Sequence, residues 1–308
     1  MTTSQSVGHI GLGIMGGAFA GHLLASGHTV SGYDLDPRRR DELKRRGGKS
    51  AVSIAAVAGK NSVLITSLPS INACEAVFFG KGGIAETAKR GTVVIETSTM
   101  PLDVKLRLRD GCAKKGIVVL DCPISGTGAQ AAAKDIAVYA SGDEGAVNRY
   151  RSVFAGFARS MHYCGEFGNG SKLKFIANLL VTIHNLSAAE AIVLGRKSGL
   201  DLELLYEVIK DGAGTSRMFE VRAPLMIADD YSKATMKCEV YQKDIDIIGE
   251  FASSLNCPTP LFEASKAYYS AALAQGRALD DTAVLCAVLE QMAGIPRKRN
   301  TTRKKPRK

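Results

Sequence analysis

The segment Ser171-Lys-Leu-Lys-Phe-Ile-Ala-Asn178 holds the residues best spaced for proton chemistry. Lys174 and Asn178 are four residues apart, so on a helix they share a face one turn apart. A partly desolvated lysine can have its pKa lowered toward working pH, where it can exchange a proton with a hydroxyl. An asparagine one turn away could hold that hydroxyl or a neighbouring carboxylate. From spacing alone Lys172 is an equal candidate, and a lysine on a helix is ordinarily a surface residue.

A second segment, Asp121-Cys-Pro-Ile-Ser125-Gly126-Thr127-Gly128, follows an apolar run and is rich in small residues. Such a loop can turn its backbone N–H groups and the Ser125 hydroxyl toward an anion, and a substrate carboxylate fits. Cys122 lies beside it, but no sequence neighbour would activate the thiol.

The third constellation is Gly11-Leu12-Gly13-Ile14-Met15-Gly16, a G-x-G-x-x-G placed between the apolar run Val7–Ile10 and an amphipathic stretch, Met15 to Ser26. In a strand–turn–helix context the first glycine permits the tight turn. The second lets backbone approach a pyrophosphate, and the third lets helix and strand pack closely. The diphosphate would then sit at the positive end of the helix dipole. Asp34 follows Gly16 by eighteen residues, where an acidic side chain accepts from the adenosine ribose hydroxyls. This pattern predicts NAD. Arg38, Arg39 and Arg40 leave NADP open, since an arginine there could pair with a 2′-phosphate; they read equally well as a solvated helix face.

The elements that must position these groups alternate in the first half. Apolar runs at Val7–Ile10, Thr29–Tyr33, Val63–Ser67, Thr92–Glu96, Val118–Asp121 and Asp135–Ala140 are separated by helix-like stretches. That alternation predicts βαβ units and a parallel sheet. After Gly168-Asn-Gly170 the pattern changes. Leu173, Ile176, Ala177, Leu180 and Ile183 recur at helical spacing through a long helix from Ser171 to Lys197. Helical patterns continue at Asp244–Ser254, Pro260–Gln275 and Thr282–Met292, without strand signals. The expected architecture is an α/β Rossmann domain over residues 1–166, an all-α domain over 167–296, and a disordered basic tail, 297–308.

Composition bounds the function. The 308 residues suffice for two domains. No apolar run was expected to span a bilayer, and Met1 to Ser6 lack the features of a secretory signal, so a cytoplasmic enzyme without membrane association is expected. Seven cysteines without C-x-x-C spacing and five histidines without ligand spacing predict reduced thiols and no metal. The net charge of +10 is concentrated in the last twelve residues, which carry eight basic groups and no acid, leaving the body near +2. The tail reads first as a solvated segment and second as a weak attractor of nucleic acid or anionic membrane; the body is not expected to bind nucleic acid.

The ordered set Gly11-Leu-Gly-Ile-Met-Gly16, Asp121-Cys-Pro-Ile-Ser-Gly126, Gly168 to Asn178, Lys243-Asp244 and Asp281-Thr-Ala283 resembles the β-hydroxyacid dehydrogenase family, over nearly the whole span Val7 to Ala293. The resemblance implies a Rossmann domain, a long interdomain helix, a helical second domain and an active site in the cleft between them. It also implies hydride exchange between NAD(P) and a small hydroxy acid or semialdehyde, and assembly as homodimers or homotetramers. Counted from Gly168 and Gly170, it places the acid/base at Lys174 rather than Lys172. It places substrate anchoring on Ser125, Gly126 and Thr127, and the family's asparagine pair on Ala177 and Asn178. Lys243 would approach cofactor and substrate, and Leu68, Pro69 and Thr99 would line the cofactor.

Two positions depart from the family pattern: Thr127 replaces a glycine and Ala177 an asparagine, and both bear on the substrate. The segment Gly212 to Arg222 resembles the L-threonate dehydrogenase branch and hints at a polyhydroxylated acid, with Arg217 or Arg222 as a contact or as a structural arginine. His184 reads as a packed residue, and Asp281 as a cap for the last helix. Two other readings compete. One is an imine reductase, whose relatives lack the lysine. The other is a non-catalytic dinucleotide-binding protein at chromatin, suggested by the basic tail.

Overall fold

The structure is a computed structural model in which residues 4–296 are described, so the expected basic tail lies outside the described residues. Six strands form the main sheet: β1 (Ser6–Ile10), β2 (Thr29–Tyr33), β3 (Lys49–Ser50), β4 (Val63–Thr66), β5 (Val93–Glu96) and β6 (Val118–Asp121). All are parallel, in the order β3-β2-β1-β4-β5-β6. This is the doubly wound Rossmann order, and the direction of winding reverses between β1 and β4. Helices α1 (Ile14–Ala25), α2 (Pro37–Arg45), α3 (Ile54–Ala58), α4 (Ile71–Phe79), α5 (Ile84–Thr87) and α6 (Leu102–Ala113) connect the strands.

Both faces of the sheet are buried. Val7, Val63 and Val93 pack with Phe19 and Leu23 on one side. Ile10, Leu64 and Val94 pack with Phe78 and Leu108 on the other. Strands covered on both faces have no polar side to show, which is why they stand out as unbroken apolar runs. The run at Asp135–Ala140 does not join this sheet. It supplies β8 (Ala137–Ala140), between an antiparallel β7 (Ile124–Ser125) and a parallel β9 (Ser160–Tyr163). Neither β3 nor β7 was read from the sequence, because two residues are too few to carry a period. Helices α7 (Gly128–Ala132), α8 (Glu144–Arg149) and α9 (Arg151–Phe157) complete this part.

Helix α10 (Asn169–Lys197) runs for 29 residues. Gly195 does not break it: a Cβ there would come within 2.3 Å of Leu205 Cδ1, so the glycine lets α11 (Leu202–Asp211) pack closely. Then follow α12 (Arg217–Ala228), α13 (Cys238–Ser254), α14 (Pro260–Ala274), a 3-10 turn (Thr282–Val284) and α15 (Leu285–Met292). Helix α12 was missed because Pro224 lies inside it, and a proline reads as a breaker. Backbone contacts divide the chain into two compact units between Ala177 and Asn178, within α10.

One expectation is corrected. By length and composition α10 could cross a bilayer, with a mean hydropathy of 1.4 over its most apolar 18 residues. Asn178, Thr182 and Asn185 interrupt the apolar run of this helix, so it does not stand out as one in the sequence. All three are buried in this protein and hydrogen-bonded: Asn178 to Asp244, Thr182 to Tyr241, Asn185 to Tyr269.

In the second unit Arg222 and Asp281 form a buried ion pair of 2.5 Å. Thr235 donates its N–H and hydroxyl to the same carboxylate, and Asp281 caps the 3-10 turn through the Ala283 N–H. Arg217 is exposed and pairs with Glu220. Of the two arginines left open by sequence, Arg222 is thus committed to the fold. Breaking a buried pair from one side strands a charge, so Arg222→Leu is expected to lower the unfolding free energy by about 3–5 kcal/mol. Arg217→Leu is expected to change it by less than about 0.5 kcal/mol. Urea unfolding of both variants checks this, and equal small effects would refute it.

Candidate active site

The glycine turn sits at the carboxyl end of β1. Gly11 has φ +88°, and a Cβ there would meet the Ser67 carbonyl at 2.2 Å. A Cβ on Gly16 would meet the Gly11 carbonyl at 2.0 Å, so glycine at 16 lets α1 approach the end of β1, and glycine at 11 lets the turn approach the end of β4. Gly13 faces open space over the amino end of α1. That end has no side-chain cap and no acidic residue in its first turn, and Ile14 beside it is 72% exposed. Its N–H groups and the dipole are available to an anion. Asp34 follows β2 and closes the other side. Its carboxylate accepts from the Leu12 N–H at 2.6 Å and the Asp36 N–H at 2.8 Å. These residues fit a dinucleotide: an open helix terminus for the diphosphate and a carboxylate for the ribose.

The three arginines after Asp34 all have partners. Arg38 pairs with Asp36 at 2.9 Å, and Arg39 lies 3.7 Å from Glu42. Arg40 donates to the Asp34 carbonyl at 2.6 Å and lies over the Tyr33 ring.

The wall after β4 and β5 is tied together by the hydroxyls of Ser67, Thr97 and Ser98, which carry no signal in the sequence. The Leu68 N–H donates to Ser98 Oγ at 2.9 Å, and the Ser67 and Thr97 hydroxyls are 2.7 Å apart. Pro69 is exposed next to Leu68, and Thr99 is half-buried after β5.

The small-residue loop packs directly on the glycine turn. A Cβ on Gly128 would come within 2.6 Å of Ile14 Cγ2, and His22 of α1 lies 2.8 Å from the Ala131 carbonyl. Ser125 ends β7, and Gly126 takes φ +142°. Thr127 caps α7 in a reciprocal box with Gln130: its hydroxyl accepts from the Gln130 N–H, and its own N–H donates to Gln130 Oε1 at 3.0 Å. The Thr127 hydroxyl only accepts in this box and keeps its own O–H to donate, so Ser125, Gly126 and Thr127 stand together at this loop end. Cys122 is fully buried, and burial pushes its thiol far above the usual range, so it is no nucleophile.

Lys172 and Lys174 part company on α10. Lys172 is exposed and reaches back to Asn169 Oδ1 at 3.2 Å, whereas Lys174 is half-buried. The turn that carries them is fastened to Asp121, at the head of the small-residue loop: Ser171 N–H and Oγ both donate to that carboxylate at 2.8 Å. Three sequence-distant segments thus meet in the first unit. Asn178, in the second unit, donates from Nδ2 to Asp244 Oδ2 at 3.0 Å, and Tyr241 donates to its carbonyl. Lys243 Nζ lies 3.7 Å from Asp244 Oδ1. Asp244 was seen in the sequence only as Lys243's neighbour; its buried partnership with Asn178 has no signal in spacing.

Residues 6–165 match the NAD binding domain of 6-phosphogluconate dehydrogenase, and residues 168–289 match the NAD-binding region of NADP-dependent 3-hydroxyisobutyrate dehydrogenase. The chain belongs to this family of NAD(P)-dependent oxidoreductases. An L-threonate dehydrogenase from Cupriavidus necator is 34% identical over 92% of this chain and 95% of its own. A 2-(hydroxymethyl)glutarate dehydrogenase from Eubacterium barkeri is 29% identical over 96% and 98%. A crystal structure of 3-hydroxyisobutyrate dehydrogenase from Salmonella typhimurium superimposes with a TM-score of 0.83 at 28% identity, covering 92% of this chain and all of that one.

Beneath the glycine turn lies a buried histidine. His9 in β1 is fully buried beneath Gly16 with no well-aligned partner for either ring nitrogen. Burial lowers its pKa from 6.5 to about 4, against a smaller raising effect of the Gly11 backbone. Between those two values the unfolded chain holds a proton that the native one does not, so this contribution is complete above pH 6.5 and is lost as pH falls toward 4. Between pH 7 and pH 4 the native protein is expected to lose about 3 kcal/mol more than His9→Leu. Denaturant titrations at the two pH values check this, and parallel acid limbs would exclude it.

Proposed function

We propose that this protein exchanges hydride between NAD and a small 3-hydroxy acid, or its semialdehyde, with Lys174 as general acid/base. The observation that carries this reading is the meeting of glycine turn, Ser125 loop and Lys174 turn in one unit. The nicotinamide, when bound, accepts or returns the hydride. Lys174 takes the hydroxyl proton in oxidation and gives it back in reduction. Ser125, the Gly126 amide and the Thr127 hydroxyl hold the carboxylate, at a loop end fixed by the Thr127–Gln130 box. Within the second unit Asp244 orients the Asn178 amide, whose oxygen can accept from a hydroxyl, and Lys243 stands beside the same carboxylate.

Asp34 supports NAD, because a carboxylate engaged with the Leu12 amide repels a 2′-phosphate and the neighbouring arginines already have partners. The likeness to L-threonate dehydrogenase favours a polyhydroxylated four-carbon acid. Assembly as a homodimer or homotetramer belongs to the same reading. Helix α11 supports it: it buries no residue, although Leu204 and Val208 are 61% and 62% exposed.

Reduced-nicotinamide absorbance with threonate, glycerate, 3-hydroxyisobutyrate, 3-hydroxypropionate and their semialdehydes, each with NAD(H) and NADP(H), tests the proposal. Turnover is expected with at least one acid and to be faster with NAD. Lys174→Ala is expected to lose about 10²–10⁴-fold in kcat while still binding cofactor. Tight cofactor binding without turnover of any acid would sink the reading in favour of an imine substrate or a non-catalytic role.

A further inference from the structure

Beneath the candidate site lies a buried charge cluster that the mechanism above does not use. Lys105 of α6, Glu96 at the end of β5 and Asp121 at the end of β6 are all fully buried. Lys105 Nζ pairs with Glu96, and it donates to Asp121 Oδ1 at 2.8 Å. Burial opposes the ammonium, but the two carboxylates outweigh it and hold the Lys105 pKa above the ordinary lysine value. A buried ion cluster is a poor source of stability, since apolar residues of like volume serve at least as well. Its distinctive property is directional, because each carboxylate oxygen fixes a donor at a set place.

Here the donors belong to the candidate site. Asp121 Oδ1 accepts from Ser171 Oγ and Oδ2 from the Ser171 N–H. Ser141 Oγ lies 3.3 Å from the same Oδ2 and accepts from the Gly170 N–H at 3.0 Å. A Cβ on Gly170 would meet the Tyr139 carbonyl at 2.3 Å and the Asp121 carbonyl at 2.9 Å, so this turn is pressed onto the strand ends. On the other arm, Glu96 Oε1 accepts from the Ser98 N–H at 2.9 Å, and Ser98 Oγ receives the Leu68 amide. One lysine thus ties the first turn of α10, just before Lys174, to the wall that carries Leu68.

We propose that Lys105, Asp121 and Ser171 are positioning residues: the Lys105–Asp121–Ser171 relay fixes the first turn of α10 and so holds Lys174 in register with the strand ends. The proposal rests on Lys174 being the acid/base. A displacement of about 1 Å at a reacting group can cost about a hundredfold in rate, which sets the scale of the effect.

The test uses the full-length protein and the best substrate from the panel, with Ser171→Ala, Ser171→Thr, Asp121→Asn and Lys174→Ala in parallel. Ser171→Ala removes one hydrogen bond and leaves no buried charge unpaired. It is expected to bind NADH with unchanged affinity and to lose about tenfold in kcat at little cost in KM. Amide hydrogen exchange across residues 169–175 is expected to rise about tenfold. Ser171→Thr keeps the hydroxyl and is expected to restore both readouts. Asp121→Asn is expected to go further in the same direction; should it fail to fold, the Ser171 pair decides. An inactive Lys174→Ala beside a Ser171→Ala with wild-type kcat and exchange would overturn the positioning role and leave the acid/base reading intact. A fully active Lys174→Ala would overturn the acid/base reading, and the positioning role with it.

Discussion

The Lys105 ammonium, enclosed by the Glu96 and Asp121 carboxylates, is the contact on which the candidate site depends. Two carboxylates ending neighbouring parallel strands would repel each other in a low-dielectric interior, and the lysine between them makes the arrangement tenable. Once that charge is placed, Asp121 has acceptor sites left for the amino end of α10, where a carboxylate is also favoured by the helix dipole. The same oxygens therefore satisfy a buried cation and start the longest helix of the protein.

Around this anchor the parallel sheet supplies the rest. In a doubly wound sheet the strand ends at the reversal leave a crevice. The Gly11 turn follows β1 there, and the Leu68 wall follows β4. Asp34 closes one side by accepting the Leu12 amide, and the Gly128 loop closes another by packing on Ile14. The second unit brings its own ordered group, in which Asp244 and Tyr241 hold Asn178 and its carbonyl. Asp34 and Asn178 are thus each held by a partner that is itself buried or fixed to backbone.

Legibility differed with the kind of interaction. The main strands were plain because burial on both faces leaves an unbroken apolar run, and α10 because burial of its apolar positions leaves a helical period. The two-residue strands and the proline-bearing α12 were not, because pairing and packing overrode local preference there. The glycine turn was legible to the residue, since steric limits at Gly11 and Gly16 admit one side chain only. Lys174 could not be told from Lys172 by spacing; the resemblance chose between them, and the structure adds that Lys172 is exposed and Lys174 half-buried. Lys105 gave no signal, because a lysine in an amphipathic helix looks the same whether its ammonium meets water or two carboxylates.

By itself the sequence determined the α/β and then α order of the chain, the dinucleotide turn with its acidic partner, and the set of residues from which a proton-transfer site could be drawn. These follow from local rules: periodicity, the steric demands of glycine positions and the spacing of a helical turn. Only the tertiary structure decided which polar residues share a buried environment. It joined Lys105 to Glu96 and Asp121 and Asn178 to Asp244, it set Arg222 against Asp281, and it made Thr127 a helix cap. The reason is physical: the strength and role of a polar group are set by the charge and dielectric around it, and those come from chain segments distant in sequence.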